Sequence, residues 1–222
     1  MRVLALDSSG IVASVAVVED DTLVAEYTVN YKKTHSQTLL PMLDEIVKMT
    51  ELDLKTIDAI AVAKGPGSFT GLRIGSATAK GLGLALDKPL VGIPTVEALA
   101  YNLYDVKGLI CPIMDARRKQ VYTGIYRYED HRLMTVKDQM AVGIEELLSM
   151  LNEMGEAVTF LGDGVPVFKD IIADKLTVPF SFAPAHLSRQ RAGAVGALGV
   201  LYYKEGRTAV SYTHLRAHET LR

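Results

Sequence analysis

The chain alternates between short apolar runs and longer stretches in which apolar residues recur every three or four positions. Short runs that end at a charge or a turn predict strands, and the three-to-four spacing predicts helices. The predicted strands are residues 3–6, 13–18, 23–29, 57–63, 90–93, 109–114, 121–128 and 158–161. The predicted helices are residues 35–49, 72–86, 95–103, 144–154, 167–176 and 187–204. This alternation is typical of an α/β protein.

The first three predicted strands follow one another with only short turns between them, which predicts an antiparallel meander. The strand at 57–63 is apolar throughout, as expected of a strand buried on both faces. A second unit of strand, aspartate, turn and strand begins at residue 109, so that Asp115 repeats the position of Asp7. We interpret this recurrence as a weak internal duplication.

Composition adds limits to this pattern. The chain has 222 residues, 49% of them apolar, and a net charge of −2. Nucleic-acid binders usually carry a basic face, so this charge argues against a stand-alone RNA-binding module. Cys111 is the single cysteine and stands in an apolar run, which favours a buried strand residue over a reactive thiol. No signal sequence and no apolar run of the ~20 residues that a membrane span needs are evident, so we expect a cytoplasmic protein.

The loop at residues 65–71 carries the strongest local signal. It joins a buried strand to the start of a helix, a place suited to anions because backbone N–H groups and the helix dipole converge there. The loop is not a Walker A sequence, and Thr70 stands where a dinucleotide fingerprint needs glycine. A tight turn that lets strand and helix pack closely explains the glycines equally well.

Acidic and basic residues at two turns extend this candidate site. An aspartate at the end of a strand, such as Asp7 or Asp115, can orient Mg²⁺ beside phosphates. Such an aspartate can equally well bond the backbone of its own turn. Arg117 begins the basic turn 117–119, which could contact phosphate, although a solvated turn is the more ordinary interpretation.

Helix 35–49 raises two further alternatives. A helical metal pair with His35 needs a second ligand at residue 38 or 39, and these are Thr38 and Leu39. We therefore expect no metal here and expect His35 to cap the helix or to contact a partner. The broad apolar stripe of the helix favours the core, but it is wide enough to serve a partner as well.

Four segments, residues 4–9, 35–41, 65–75 and 115–118, closely resemble the TsaB family in sequence, order and spacing. The resemblance implies an actin-like (ASKHA, ribonuclease H-like) α/β fold with two similar lobes, each a mixed sheet flanked by helices. The implied lobes are residues 1–105 and 106–210. Residues 211–222 depart from the family and from any periodicity, and we interpret them as an artefactual or disordered tail.

The resemblance also implies a function. It indicates a non-catalytic subunit in the synthesis of threonylcarbamoyladenosine in tRNA, with tRNA reached only through the complex. The implied partners are the catalytic, metal-bearing homologue TsaD and the ATPase TsaE, with a homodimer when the chain is alone. The catalytic relative has a His-x-x-x-His pair on the corresponding helix. Leu39 replaces the second histidine here, so no catalytic or metal-binding residue is expected.

Two sets of site residues follow from the motifs and the resemblance together. We expect no tightly bound cofactor, but ADP or ATP–Mg²⁺ could be held at an interface shared with the partner. The candidate nucleotide-binding residues are Asp7, Ser8, Gly65, Gly67, Ser68, Gly71, Asp115 and Arg117. The candidate interface residues are His35, Leu39, Leu40, Leu43, Ile46, Val47, Leu72, Gly75 and Ala79.

A different class of function stays open at this point. The alternative is an active ATP-dependent or metallopeptidase-like enzyme of the same superfamily. The partner hypothesis expects apolar side chains of helix 35–49 to be exposed, and full burial of Leu39, Leu43 and Ile46 within one chain counts against it.

Overall fold

The computed structural model of the chain describes residues 1–31 and 35–208. Its strands are β1 (Arg2–Asp7), β2 (Ala13–Glu19), β3 (Thr22–Val29), β4 (Ala59–Ala63), β5 (Leu90–Ile93), β6 (Leu109–Asp115), β7 (Gln120–Glu129), β8 (Arg132–Gly143), β9 (Val158–Leu161) and β10 (Phe180–Phe182). Its helices are α1 (His35–Thr50), α2 (Phe69–Leu86), α3 (Thr95–Tyr101), α4 (Ile144–Met154), α5 (Val165–Lys175) and α6 (Ala192–Lys204). The predicted tail at 211–222 lies outside the described residues.

The first sheet has the strand order β3-β2-β1-β4-β5. β1, β2 and β3 pair antiparallel, which confirms the predicted meander. β4 pairs parallel to both β1 and β5. Every residue of β4 is buried, as its apolar sequence predicts for a strand in the middle of a sheet.

The second sheet repeats this order as β8-β7-β6-β9-β10. β6, β7 and β8 again pair antiparallel, and β9 pairs parallel to β6 and β10. A helix precedes the fourth strand of each sheet and another joins its fourth strand to its fifth. The internal duplication that was predicted from Asp7 and Asp115 is therefore confirmed at the level of topology.

The described residues divide into two compact units, one of Met1–Ala98 with residues 190–208, the other Leu99–Arg189. This division differs from the predicted lobes at 1–105 and 106–210, because α6 belongs with the first sheet. Glycines on α6 allow that packing: a Cβ on Gly196 would lie 2.6 Å from Val18 Cγ2, and one on Gly199 would lie 2.7 Å from Ala61 Cβ. The close approach of helix and sheet requires the absence of these side chains.

Polar groups of β2 and β3 hold the start of α6. Glu26 Oε1 accepts a hydrogen bond of 2.8 Å from the N–H of Gly193, and Glu26 Oε2 accepts from the Arg191 guanidinium. The N–H of Ala192 donates to Ser14 Oγ at 2.8 Å. These side chains satisfy N–H groups that the first turn of a helix leaves without partners.

No helix of the described residues is long and apolar enough to cross a membrane.

Candidate nucleotide site and partner surface

Asp7 ends β1 in a buried turn. Its Oδ1 accepts hydrogen bonds from the N–H of Ser9 at 2.9 Å and from Ser9 Oγ at 2.6 Å. Its Oδ2 is buried and has no hydrogen-bond partner among the described residues. Burial raises the pKa of Asp7, and the hydrogen bonds from Ser9 oppose that shift. Asp7 thus accepts hydrogen bonds within its own turn through one carboxylate oxygen, and its other carboxylate oxygen accepts none from the described residues.

The Gly-rich loop packs directly on this turn. The N–H of Ser68 donates to the carbonyl oxygen of Ser9 at 2.7 Å, and Ser8 Oγ donates to the carbonyl oxygen of Gly71 at 2.8 Å. A Cβ on Gly67 would lie 2.2 Å from Ser9 O, and a Cβ on Gly71 would lie 2.0 Å from Ser8 O. No side chain fits at either position, so these glycines permit the contact between loop and turn.

The hydrogen bonds at the start of α2 also favour the tight-turn interpretation of the loop. Ser68 caps the helix, because its Oγ accepts from the N–H of Gly71 at 3.3 Å and its carbonyl oxygen accepts from the N–H of Leu72 at 2.8 Å. Three N–H groups of this segment, those of Ser68, Gly71 and Leu72, are therefore used within the chain. Gly65, at the other end of the loop, is held by a backbone hydrogen bond, since its carbonyl oxygen accepts from the N–H of Thr95 at 2.9 Å.

The sequence-predicted nucleotide residues Asp7, Ser8, Gly65, Gly67, Ser68 and Gly71 thus meet where β1 and β4 of the first sheet end. Sequence reasoning missed Gln190, which is 2% exposed and lies against Gly10. The side-chain amide of Gln190, Thr95 Oγ1 and His35 Nδ1 are buried without partners among the described residues. Together with Asp7 Oδ2, these atoms are the polar groups of this unit that a bound polar ligand could use.

Asp115 of the second unit repeats the geometry of Asp7. Its Oδ1 accepts from the N–H of Arg117 at 2.9 Å, the same distance and the same two-residue spacing as the bond from Ser9 to Asp7. The Arg117 guanidinium also lies 3.8 Å from the Asp115 carboxylate. Both sequence-predicted residues of this unit are therefore adjacent, and they bond each other.

Sequence reasoning also missed Asp163 and Arg189, and the signal that could have found Asp163 is the Gly-Asp-Gly sequence at 162–164, directly after a predicted strand. Burial raises the pKa of Asp163, and the charge of Arg189 opposes that shift. Arg189 Nη1 donates to the carbonyl oxygen of Gly162 at 2.6 Å. The N–H groups of Gly164, Val165, Val167 and Phe168 all donate within the chain, and Pro166 has none. The start of α5 therefore offers little to a phosphate.

A catalytic metal does not fit the residues at the start of α1. His35 Nε2 lies 2.8 Å from the carbonyl oxygen of Gly10, and Leu39 is 1% exposed in the core. Within the described part of the chain, no three His, Cys, Asp or Glu side chains come together as a metal site would need.

The predicted interface on α1 and α2 requires correction. Leu39, Leu43 and Ile46 are only 1%, 4% and 5% exposed, because this face of α1 packs on the first sheet. Gly75 and Ala79 are buried as well, and His35, Val47 and Leu72 are half-buried. Of the nine predicted residues only Leu40 is exposed, at 54%. The apolar stripe is therefore core, as its pattern alone favoured, and its burial counts against the partner hypothesis in the form that expected these side chains to be exposed.

A different set of apolar residues is exposed on these two helices. On α1, Leu40 and Met49 are 54% and 76% exposed, and on α2 Leu84 is 60% exposed. Small exposed residues recur every four positions along α2, at Ala77, Gly81 and Ala85. Met49 lies nine positions after Leu40, about two and a half helical turns, so it points to the opposite side of α1. We refer to the other five residues as the outer helical surface.

The fold defines the class of the protein. Two sheets of identical strand order, each flanked by helices, form the actin-like fold of sugar kinases and related ATPases. An inorganic polyphosphate/ATP-glucomannokinase from Arthrobacter superposes with a TM-score of 0.54 at 14% identity, covering 91% of this chain and 99% of that one. YeaZ from Pseudomonas aeruginosa superposes with a TM-score of 0.80 at 23% identity, covering 97% of both chains.

Sequence comparison identifies the family within this class. The sequence model of the family described as TsaD, tRNA N6-adenosine threonylcarbamoyltransferase, matches residues 22–214. The tRNA threonylcarbamoyladenosine biosynthesis protein TsaB of Bacillus subtilis is 40% identical over 79% of this chain and 77% of its own length. TsaB of Escherichia coli is 33% identical over 77% of this chain and 75% of its own length. The chain belongs to the TsaB family.

Proposed function

We propose that this chain is a non-catalytic subunit in the biosynthesis of N6-threonylcarbamoyladenosine in tRNA, where it binds and supports a TsaD-like catalytic homologue together with a TsaE-like ATPase. Two TsaB relatives at 40% and 33% identity carry this biosynthetic role in their names. The observation that supports the non-catalytic part is the burial of Leu39, an apolar core residue at the position where the family resemblance implies the second histidine of the catalytic relative.

The chemistry of the other candidate residues agrees with this proposal. His35 is hydrogen-bonded to the backbone of Gly10. Asp7 and Asp115 each bond the N–H two residues further on, in their own turns. Groups that are used in this way to fix the backbone contribute to the fold.

The outer helical surface is the proposed binding site for the catalytic homologue. Exposed leucine side chains on neighbouring helices lose water when a partner covers them. The small residues at Ala77, Gly81 and Ala85 would let a partner helix approach the backbone of α2 closely. In the absence of that homologue, the same surface would pair two copies of this chain.

A nucleotide is proposed to bind weakly or not at all to the isolated chain. The N–H groups of Ser68, Gly71 and Leu72 already have partners within the chain. ADP or ATP–Mg²⁺ would therefore need groups from the partner, with Asp7 Oδ2 and Gln190 as the contribution of this chain.

Size-exclusion chromatography with light scattering tests the partner surface. The wild-type chain is expected to elute as a dimer and to exchange into a heterodimer when the catalytic homologue is added. Leu84→Glu places a charge on the outer helical surface and is expected to abolish both species. Val167→Glu is the matched control, since Val167 is 57% exposed on α5. Equal assembly of both variants would refute this surface.

The second candidate function is an active ATP-dependent or metallopeptidase-like enzyme. The unpartnered, buried Oδ2 of Asp7 is the observation that favours it, because an acid at this place could orient Mg²⁺. Titration calorimetry of the isolated chain with ATP–Mg²⁺ and with zinc separates the two candidates. Heat of tight binding in either titration would support the enzyme, and its absence in both would remove it.

A further inference from the structure

The turn between β6 and β7 holds three consecutive residues in a strained conformation. Arg117, Arg118 and Lys119 have φ angles of 69°, 50° and 59°, in the left-handed region that glycine and asparagine favour. The other β-hairpins of the chain have fewer left-handed positions: Asp20 has φ 49° in the β2–β3 turn, and Asp130 and His131 have φ 48° and 63° in the β7–β8 turn. Long side chains in three successive left-handed positions bring a steric cost that the local fold does not require.

Backbone hydrogen bonds fix this turn. The N–H of Gln120 donates to the carbonyl oxygen of Arg117 at 2.9 Å, and the N–H of Ala116 donates to that of Gln120 at 3.0 Å. The N–H of Ile144 donates to the carbonyl oxygen of Lys119 at 3.0 Å, which ties the turn to the start of α4. The three side chains therefore extend from a rigid support.

All three side chains are exposed, and two of them lack a salt bridge. The Arg117 side chain is 88% exposed and lies 3.8 Å from Asp115, whereas Arg118 and Lys119 make no salt bridge within the described part of the chain. Glu145, the acid next to Lys119 in space, is paired with Lys175 at 2.8 Å. The contact with Lys175 and, to a smaller extent, the charge of the nearby Lys119 lower the pKa of the Glu145 carboxyl. Neither Arg118 nor Lys119, however, forms an ion pair among the described residues. An outside anion would explain why these cations occupy strained positions.

We propose that Arg118 and Lys119, with Arg117 beside them, contact the phosphodiester backbone of the tRNA when this chain is in its complex; this inference rests on the proposed function. Exposed cations in a row suit an extended polyanion, and each phosphate contact releases counterions. A free nucleotide is the weaker match, because small ligands bind in concave pockets and the N–H groups at the start of α5 are already used. The net charge of −2 explains why the contact needs the whole complex.

The double variant Arg118→Asn, Lys119→Gly separates binding from folding, because asparagine and glycine suit the left-handed turn. We expect it to raise the thermal midpoint of the chain by about 2–4 °C. In the reconstituted complex, we expect it to weaken binding of a labelled, unmodified tRNA transcript about tenfold and to reduce the salt slope of log K by about 2, as measured by fluorescence anisotropy.

Two matched variants complete the experiment. Asp130→Asn, His131→Gly relieves the left-handed β7–β8 turn, at the loss of the exposed contact between His131 and Asp105, and should raise the midpoint without changing tRNA affinity. Arg118→Lys keeps the charge and should keep most of the affinity.

The outcomes are distinct. An assembled variant complex with wild-type tRNA affinity and salt slope would overturn the RNA contact and leave the proposed function intact. A loss of ADP affinity without a loss of tRNA affinity would also overturn it, in favour of a nucleotide contact. Failure of the wild-type chain to join the complex would overturn both proposals.

Discussion

Two glycines of α2 allow a sharp test of how the Gly-rich loop works. Gly71 and Gly81 lie in the same helix, but a Cβ on Gly71 would lie 2.0 Å from Ser8 O, whereas a Cβ on Gly81 would meet nothing within 4 Å. Alanine at Gly71 must therefore push the loop away from the turn that follows β1. Alanine at Gly81 only exchanges a poor helix former for a good one.

The expected magnitudes have opposite signs. Overpacking against a fixed backbone destabilises by about 1–3 kcal/mol or more, and the better helix propensity of alanine stabilises by up to about 1 kcal/mol. Gly71→Ala should therefore lower the free energy of unfolding by about 2 kcal/mol. Gly81→Ala should raise the free energy of unfolding by about 0.5–1 kcal/mol. For a chain of this size, the thermal midpoint should fall by about 4–8 °C in the first variant and rise by about 1–4 °C in the second.

Urea and thermal unfolding of the two variants, followed by circular dichroism, measure this difference. Gly71→Ala with wild-type stability would show that the loop and the turn do not pack as described. The packing explanation of the glycine motif would then be wrong, and the anion interpretation would regain support.

Three further substitutions probe other parts of the chain. Glu26→Gln removes the charge that holds Arg191 and the start of α6, and should lower the free energy of unfolding by about 2 kcal/mol in urea titrations; an unchanged value would exclude this anchor. Asp7→Asn should stabilise the chain at neutral pH. Because burial raises the pKa of Asp7, the folded wild-type chain holds this proton more tightly than the unfolded chain, and its free energy of unfolding falls as pH rises above the ordinary pKa of 3.8. The difference in free energy of unfolding between variant and wild type should therefore vanish at more acidic pH. A difference that does not change with pH would contradict this reasoning. Leu39→His restores the second histidine beside His35 but places a polar ring in the core, so it should cost about 2–4 kcal/mol and bring no zinc binding by calorimetry.

Periodicity was enough to predict most of the fold. The strands at 90–93 and 158–161 and the helix at 144–154 match β5, β9 and α4. The two strands are short, mainly apolar runs, and the helix has apolar residues every three or four positions. β8 was missed because register shifts in its pairing with β7 break the alternation of buried and exposed residues. The helix predicted from residue 187 begins only at Ala192, because the preceding residues form turns.

The candidate site was only partly predictable for a physical reason. Asp7 and the loop glycines are visible because their types and spacing are unusual, but Gln190 joins them only through the packing of α6 on the first sheet. The interface assignment failed because a wide apolar stripe has the same pattern whether it covers a sheet or a partner. In the fold, the stripe faces the sheet, so Leu39 is buried, whereas Leu84 is exposed.

The most direct test of the central claim is a reconstituted tRNA threonylcarbamoylation assay with the TsaD-like homologue and the TsaE-like ATPase, with and without this chain. We expect the chain alone to be inactive and modification to require its addition. The Leu84→Glu variant should fail to support modification, whereas the Val167→Glu variant should support it as well as the wild type does. Modification that proceeds equally well without the chain, or turnover by the chain alone, would contradict its role as a non-catalytic subunit.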